Sequence, residues 1–193
     1  MPMRRALLLA LALPGPACGA PTPIPEASPQ ASPDDLADTL ARLARTPEGD
    51  ARRPLMQQVR RAPATLALPA LRAGLADPDP TMRAAAALAT GRRRDGNALA
   101  GELIALATGD AIPAVRAAAC RGLGQLGHPE AFLPLQQNLS HETAEVRLAA
   151  LRALARIDAA RASALPELGR LQLDPDARVA GAATRVSRHV ALQ

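Results

Sequence analysis

Apolar and polar residues follow a helical period along most of the chain. In the segment 146–154, Val146, Ala149, Ala150 and Leu154 fall at i, i+3, i+4 and i+8, which places them on one face of a helix. Ala and Leu dominate the apolar positions, and aromatic residues make up only 1% of the chain. Because strands favour the β-branched and aromatic residues that are scarce here, the pattern predicts an all-α protein.

The helical pattern recurs at a nearly constant interval. Four similar segments begin with related residue pairs at spacings of 33, 31 and 33 residues: Met82-Arg83, Val115-Arg116, Val146-Arg147 and Val179-Ala180. The first three are followed by a Leu-rich stretch, so that each full unit contains two helices. One helix pair cannot bury its own apolar face, and the units must therefore stack into an α-solenoid of antiparallel helix pairs. The predicted domain covers 34–193, with repeats at about 50–77, 78–110, 111–141 and 142–174 and a half-repeat at 175–190.

Turn and cap residues separate the predicted helices. Asp79-Pro80 offers an N-cap residue followed by proline at the first helical position. The segments 94–97 and 127–129 contain the Gly, Asn and Pro residues expected of turns between paired helices. Ahead of the repeats, the segment 34–45 is predicted to form an N-terminal capping helix with three leucines facing inward: Leu36, Leu40 and Leu43.

On these repeats the chain resembles HEAT-repeat proteins, in particular the short bacterial HEAT-like type named after phycobilin lyase subunits. The resemblance is strongest over 77–174, weaker over 50–76, and extends to a half-unit at 174–190. It implies a solenoid with a curved helical surface that binds another protein without catalysing a reaction. The alternative that the same resemblance implies is an accessory subunit that positions a substrate for a modifying enzyme.

The N-terminal residues have the layout of a secretory signal. Two arginines precede an apolar run over 6–13, which is too short to span a bilayer, and small residues then surround Cys18. This layout resembles a bacterial lipoprotein signal, which implies a signal peptide at 1–17, a lipidated Cys18 and a Pro-rich tether at 18–33. We therefore expect a membrane-anchored lipoprotein of the cell envelope that faces the periplasm. Cleavage to a soluble secreted form and an uncleaved cytosolic chain are the alternatives.

Charge adds little to this assignment. The formal charge is +5, and cleavage after residue 17 would remove two arginines and leave 21 basic against 18 acidic residues. HEAT-like DNA glycosylases bind DNA on a basic concave face with the help of aromatic residues, but this chain has Phe132 alone. We expect no nucleic acid partner, although a cytosolic form would leave that possibility open.

Two groups of arginines are the candidate site residues. One group is aligned by the repeat and is called here the arginine ladder: Arg83, Arg116 and Arg147. These residues would either bind anions or, as the HEAT resemblance implies, pair with the acidic residues at the repeat boundaries: Asp77, Asp110 and Asp174. His141 replaces the acid at one boundary and Ala180 replaces the last arginine, so we expect the C-terminal end to be less tightly tied.

The second group is the run Arg92, Arg93 and Arg94 in a turn between helices, the densest positive charge after the signal segment. It is interpreted either as a solvated turn or as a contact for anionic lipid headgroups or an acidic partner.

The remaining polar residues favour no catalytic or metal site. The pairs His128/Glu130 and His141/Glu142 are similar to the iron ligands of deoxyhypusine hydroxylase, a HEAT-like enzyme. There the pairs lie inside the first helices, whereas here they lie ahead of them or are split by proline, so we expect no metal and no other cofactor. Cys120 lies in an apolar helix face and is predicted to be a small buried hydrophobe.

Overall fold

A computed structural model describes residues 32–46 and 52–188 of the chain. Within these ranges the chain forms eleven α-helices and no strand: α1 (Pro33–Arg45), α2 (Arg52–Arg61), α3 (Ala64–Leu75), α4 (Pro80–Gly91), α5 (Ala100–Gly109), α6 (Pro113–Leu126), α7 (Phe132–Gln137), α8 (Ala144–Ile157), α9 (Ala159–Ser163), α10 (Leu168–Leu171) and α11 (Ala177–Arg188). Short 3₁₀ turns at Gly96–Leu99 and Pro129–Ala131 lead into α5 and α7, and a third at Asn138–Ser140 follows α7. The predicted all-α solenoid is confirmed.

The helices form two layers that run along the stack. The first helices α4, α6, α8 and α11 make one layer, in which α4 contacts α6, α6 contacts α8, and α8 contacts α11, whereas α2 packs mainly against α1. The second helices, α3, α5, α7 and the pair α9 and α10, make the other layer. Helix α1 packs against α2, α3 and α4 and covers the N-terminal end of the stack. Its inward leucines are buried as predicted: Leu36, Leu40 and Leu43.

Local caps define where the helices begin and end. The Asp79 side chain accepts a hydrogen bond from the Thr81 N–H at 2.8 Å, and Pro80 starts α4, so the predicted cap is present. Ser32 and Asp35 form a reciprocal capping box at the start of α1. Gly127 ends α6 with φ of 66°, a left-handed conformation that glycine adopts without a steric penalty.

Neighbouring first helices approach closely because small residues lie between them. A Cβ atom added to Gly91 of α4 would lie 2.5 Å from Cα of Gly122 in α6. One added to Gly124 of α6 would lie 2.7 Å from Cα of Ala153 in α8. Real Cβ atoms do not occur at such distances, so the backbones pack directly against each other. The Ala and Gly content of the repeat therefore sets the spacing of the stack.

The second helix of the unit 142–174 is broken, unlike the single helix predicted. Helices α9 and α10 contain five and four residues and are separated by a turn that includes Pro166. Proline has no N–H to donate and disfavours the helical conformation in the residue before it, here Leu165. Leu165, Leu168 and Leu171 are nevertheless buried, so the broken segment still contributes to the core.

Candidate functional site

The arginine ladder connects successive units through ion pairs. Arg83 donates from Nε to Asp110 Oδ2 at 2.7 Å and from Nη2 to Asp110 Oδ1 at 3.1 Å. Its Nη1 also donates to the carbonyl oxygens of Asp77 and Pro78, the residues just ahead of α4. The Asp110 side chain is only 4% exposed. Arg83 thus links the segment ahead of α4, at Asp77 and Pro78, to Asp110 at the end of its unit.

Arg147 repeats the same contacts two units later. Its Nε and Nη2 donate to the two carboxylate oxygens of Asp174, each at 2.8 Å, and its Nη1 donates to the carbonyl oxygens of His141 and Glu142. The side chains of Arg147 and Asp174 are 10% and 5% exposed. Such bidentate pairs are geometrically specific and stronger than single hydrogen bonds.

The ladder is interrupted in the middle of the stack. Arg116 donates from Nε to the carbonyl oxygen of Asp110 at 2.6 Å, but the next boundary residue is His141, which has no carboxylate. The expectation of a less tightly tied C-terminal end stays a prediction: Arg147 bonds to Asp174 just ahead of the last half-unit, and Ala180 supplies no arginine within it. The missing ion pair falls between the units 111–141 and 142–174.

The boundary residues have a second role that the sequence analysis missed. Each accepts a hydrogen bond from the backbone N–H two residues later, at 2.8 to 3.0 Å: Asp77 from Asp79, Asp110 from Ile112, His141 Nδ1 from Thr143, and Asp174 from Asp176. Asp commonly closes turns of this kind with its own backbone, so its recurrence at one position of the repeat was the available signal. His141 keeps the turn and loses only the ion pair.

The ladder shifts the pKa values of its acids. The hydrogen bonds from Arg147 lower the pKa of Asp174 below its ordinary value, against the opposing effect of burial. For Asp110, burial raises the pKa, but hydrogen bonds from Arg83 and from the Ile112 N–H outweigh it, so that the pKa is lowered. Both carboxylates are therefore ionised in the folded protein at neutral pH.

The structure corrects the interpretation of Arg93 in the arginine run at 92–94. We interpreted all three residues as a solvated turn or a surface contact, but Arg93 is only 8% exposed. It forms a bidentate pair with Asp95, and its Nη1 donates to the carbonyl oxygens of Val59 and Ala62. Arg93 therefore attaches the turn after α4 to the junction between α2 and α3.

Arg92 and Arg94, in contrast, are exposed on either side of Arg93. Arg60, at the end of α2, is exposed beside them, and we call Arg60, Arg92 and Arg94 the arginine edge. Arg60 and Arg92 line a surface depression of about 340 Å³ together with Gly91 and Gln125. An adjoining depression of about 240 Å³ is lined in part by Arg92, Arg94 and Gln125.

The two described histidines and the described cysteine have structural roles. His128 lies 3.6 Å from the Glu130 carboxylate on the surface, and His141 uses Nδ1 in its turn. Within 32–46 and 52–188, no group of three His, Cys, Asp or Glu residues is arranged to hold a metal ion. Cys120 is fully buried, and burial raises the pKa of its thiol to about 12. Cys18, the predicted signal peptide and the predicted tether up to residue 31 lie outside the described residues, whereas Ser32 and Pro33, the end of the predicted tether, already cap and begin α1.

The second helices present a largely uncharged surface in the middle of the stack. Exposed positions of α5 and α7 include Gly101, Ala105, Leu133 and Gln137, and Leu133 is 62% exposed. Cβ atoms added to Gly101, Gly109 and Gly169 would meet open space, so these glycines serve no packing contact within the described chain. Small, uncharged side chains allow another chain to approach the helix backbones closely.

A known family model matches the C-terminal part of the stack. Residues 99–188 match the family model of the HEAT repeats. The matched segment is just under half of the chain and includes Arg116, Arg147 and both boundaries that follow them. The match supports a HEAT-repeat protein, and HEAT repeats are commonly protein-interaction scaffolds that are generally non-catalytic. The comparison with curated proteins found no match.

The described helices are all shorter or more polar than a membrane span requires.

Proposed function

We propose that the protein is a non-enzymatic interaction scaffold of the cell envelope that binds another protein on its helical surface. The observation that carries this proposal is the continuous stack of helix pairs, in which bidentate pairs at Arg83 and Arg147 join consecutive units. Such a stack presents one long surface of side-by-side helices, the feature with which repeat proteins bind their partners.

The use of the buried charges supports a non-catalytic role. Three charged residues are buried among the described residues: Arg93, Asp110 and Arg147. Each is bonded to a side chain of opposite charge and to backbone atoms of a neighbouring segment. Polar groups in these positions stabilise the stack, and a catalytic acid or base would need a free site facing a cavity.

The proposed location rests on the N-terminal sequence. Arg4 and Arg5 precede an apolar run, and Cys18 follows small residues, as in lipoprotein signals. In the proposed protein, lipid on Cys18 anchors the chain, and the Pro-rich tether at 18–33 separates the solenoid from the membrane on the periplasmic side. The mass of the N-terminal peptide from native membranes tests this location: an acylated peptide that begins at Cys18 supports it, and a soluble chain that begins at Met1 refutes it.

Cross-linking in intact cells tests the scaffold function. A photoreactive residue at Ala105 or Leu133 on the second-helix surface is expected to yield one specific cross-linked partner in the envelope fraction. A photoreactive residue at Ala114, exposed at the start of α6, is the matched control on the other layer. Absence of a specific product from the second-helix positions, with a well-folded variant, would refute the proposed surface.

The accessory-subunit alternative shares this surface and differs in the partner. If the captured partner is a modifying enzyme, its turnover should fall when the protein is deleted and recover when the purified solenoid is added back. A scaffold would change only the localisation or assembly of its partner. The two roles are therefore separated by measuring partner activity in membranes from deletion cells.

A further inference from the structure

The arginine edge groups three exposed arginines around two adjoining surface depressions. Arg83 and Arg147 are bonded to carboxylates, and the only acid of the turn after α4, Asp95, is taken up by Arg93. Arg60, Arg92 and Arg94 form no ion pair with any carboxylate in the ranges 32–46 and 52–188. Positive charge is thus concentrated at one edge of the solenoid.

The fold brings the segments that carry these three arginines together. Arg92 and Arg94 flank Arg93, whose hydrogen bonds to the Val59 and Ala62 carbonyls attach the turn to the end of α2. Arg60 belongs to that same helix end. Arg93 is therefore a positioning residue, because it sets the turn that carries Arg92 and Arg94 against the helix that carries Arg60.

The space between the guanidinium groups is concave and has amide groups in its wall. The depression of about 340 Å³ is lined by Arg60, Arg92, Gly91 and the side-chain amide of Gln125. Asn97 adds a second amide beside the adjoining depression. Guanidinium groups match carboxylates in charge and geometry, and side-chain amides can pair with peptide N–H and C=O groups.

We propose that the arginine edge is the docking site for an acidic peptide segment of the partner protein. This inference rests on the proposed scaffold function and adds the chemistry of the partner to it. The two open depressions and their side-chain amides suit a chain with carboxylates and backbone groups. A membrane surface would also call for apolar side chains that insert between lipids. In the described ranges the exposed large apolar residues, Ile112, Leu133 and Leu173, lie on other segments.

Fluorescence anisotropy with a labelled oligo-glutamate peptide tests the docking site. The full chain carries Cys18→Ala, so that the proposed anchor does not contribute to binding. We expect the oligo-glutamate peptide to bind and an oligo-glutamine peptide of equal length not to bind, with an affinity that falls as salt is added. Arg92→Gln combined with Arg94→Gln should weaken binding at least about five-fold, since each exposed pair contributes modestly.

The matched control is Arg152→Gln combined with Arg156→Gln, which removes the same charge from two exposed positions on α8 that form no ion pair with a described carboxylate. It should bind the peptide as the parent chain does. Equal losses in both double variants, or equal binding of the two peptides, would overturn the proposal. Binding to phosphatidylglycerol vesicles or to a single-stranded oligonucleotide that exceeds peptide binding and depends on Arg92 and Arg94 would overturn it in favour of those ligands.

The same variants separate this inference from the proposed function. If the partner cross-linked at Leu133 is still captured in the Arg92→Gln/Arg94→Gln background with unchanged yield, the scaffold stands and the docking site is wrong. If no partner is captured by the parent chain, the scaffold function itself fails. A selective loss of capture in that background, with the Arg152→Gln/Arg156→Gln control unaffected, supports both.

Discussion

Replacing Arg147 with alanine should loosen the C-terminal half-unit more than any other change in the ladder. Arg147 contributes two hydrogen bonds to Asp174 and two to the carbonyls of His141 and Glu142. Asp174 follows α10 and precedes α11, so it lies in the connection between the last full unit and the half-unit. The substitution leaves its carboxylate, now 5% exposed, without an ionic partner.

The expected cost follows from the burial of this pair. Breaking a buried ion pair by removing one partner costs about 3–5 kcal/mol. Because the pair lies near the surface and water can reach the vacated space, we expect the lower end, about 3 kcal/mol. For a chain of this size that change corresponds to a decrease in Tm of about 6–12 °C.

Arg116→Ala is the matched control within the same ladder. Arg116 occupies the equivalent position in α6 but, among the described residues, makes one hydrogen bond, to the carbonyl oxygen of Asp110 at 2.6 Å, and no ion pair. Its removal should lower the free energy of unfolding by only about 1 kcal/mol. Both variants remove one positive charge and a long side chain, so their difference reports the carboxylate pair.

The difference in the free energy of unfolding between Arg147→Ala and the parent chain should also depend on pH. Arg147 lowers the pKa of Asp174 from 3.8 in the folded state. A lowered pKa contributes stability that is fully present above the unfolded-state value and is lost as pH falls through the folded-state value. The stability gap should therefore be constant at neutral pH and narrow below pH 3.8.

Urea unfolding followed by far-UV circular dichroism measures both variants, and hydrogen exchange locates the effect. Exchange in α11 should increase more than in α4, because repeat proteins can lose terminal units separately. If Arg147→Ala and Arg116→Ala destabilised the protein equally, the Arg147–Asp174 ion pair would not contribute more than the single hydrogen bond of Arg116, and the reasoning would be refuted. A gap that stays unchanged down to pH 2 would refute the ionic origin of that contribution.

Three further predictions concern other parts of the stack. Gly124→Ala should destabilise the protein by about 2 kcal/mol in urea unfolding because its Cβ atom would lie 2.7 Å from Cα of Ala153, whereas Gly101→Ala, whose Cβ atom meets open space, should not. The Cys120 thiol, buried and with a pKa raised to about 12, should resist iodoacetamide at pH 8 in the native protein and react in urea; rapid native labelling would contradict its burial. Asp79→Ala should cost about 1 kcal/mol through loss of the α4 cap, and an unchanged Tm would contradict that role.

Much of the fold was predictable because it depends on local chemistry. Helical periodicity, the Asp79-Pro80 cap and the glycine turn at residue 127 act within a few residues, and the structure contains each of them. The regular spacing of the units then implied stacking, because a lone helix pair leaves an apolar face in water. The break in the second helix also had a local signal, Pro166, but the regular repeat led us to predict a single helix there.

The roles of the arginines were not predictable to the same degree. Arg92, Arg93 and Arg94 are identical and adjacent in the sequence, yet Arg93 is buried and its neighbours are exposed. Which of three equal side chains turns inward depends on where Val59 and Ala62, more than thirty residues earlier, offer free carbonyl groups. Likewise, the repeat aligned Arg116 with Arg83 and Arg147, but Arg83 and Arg147 pair with the acid at the end of their own unit, whereas Arg116 reaches only the Asp110 carbonyl ahead of its helix. Periodicity and caps depend on neighbouring residues and were therefore predictable from the sequence, whereas burial and ion pairing arise only when distant segments pack together.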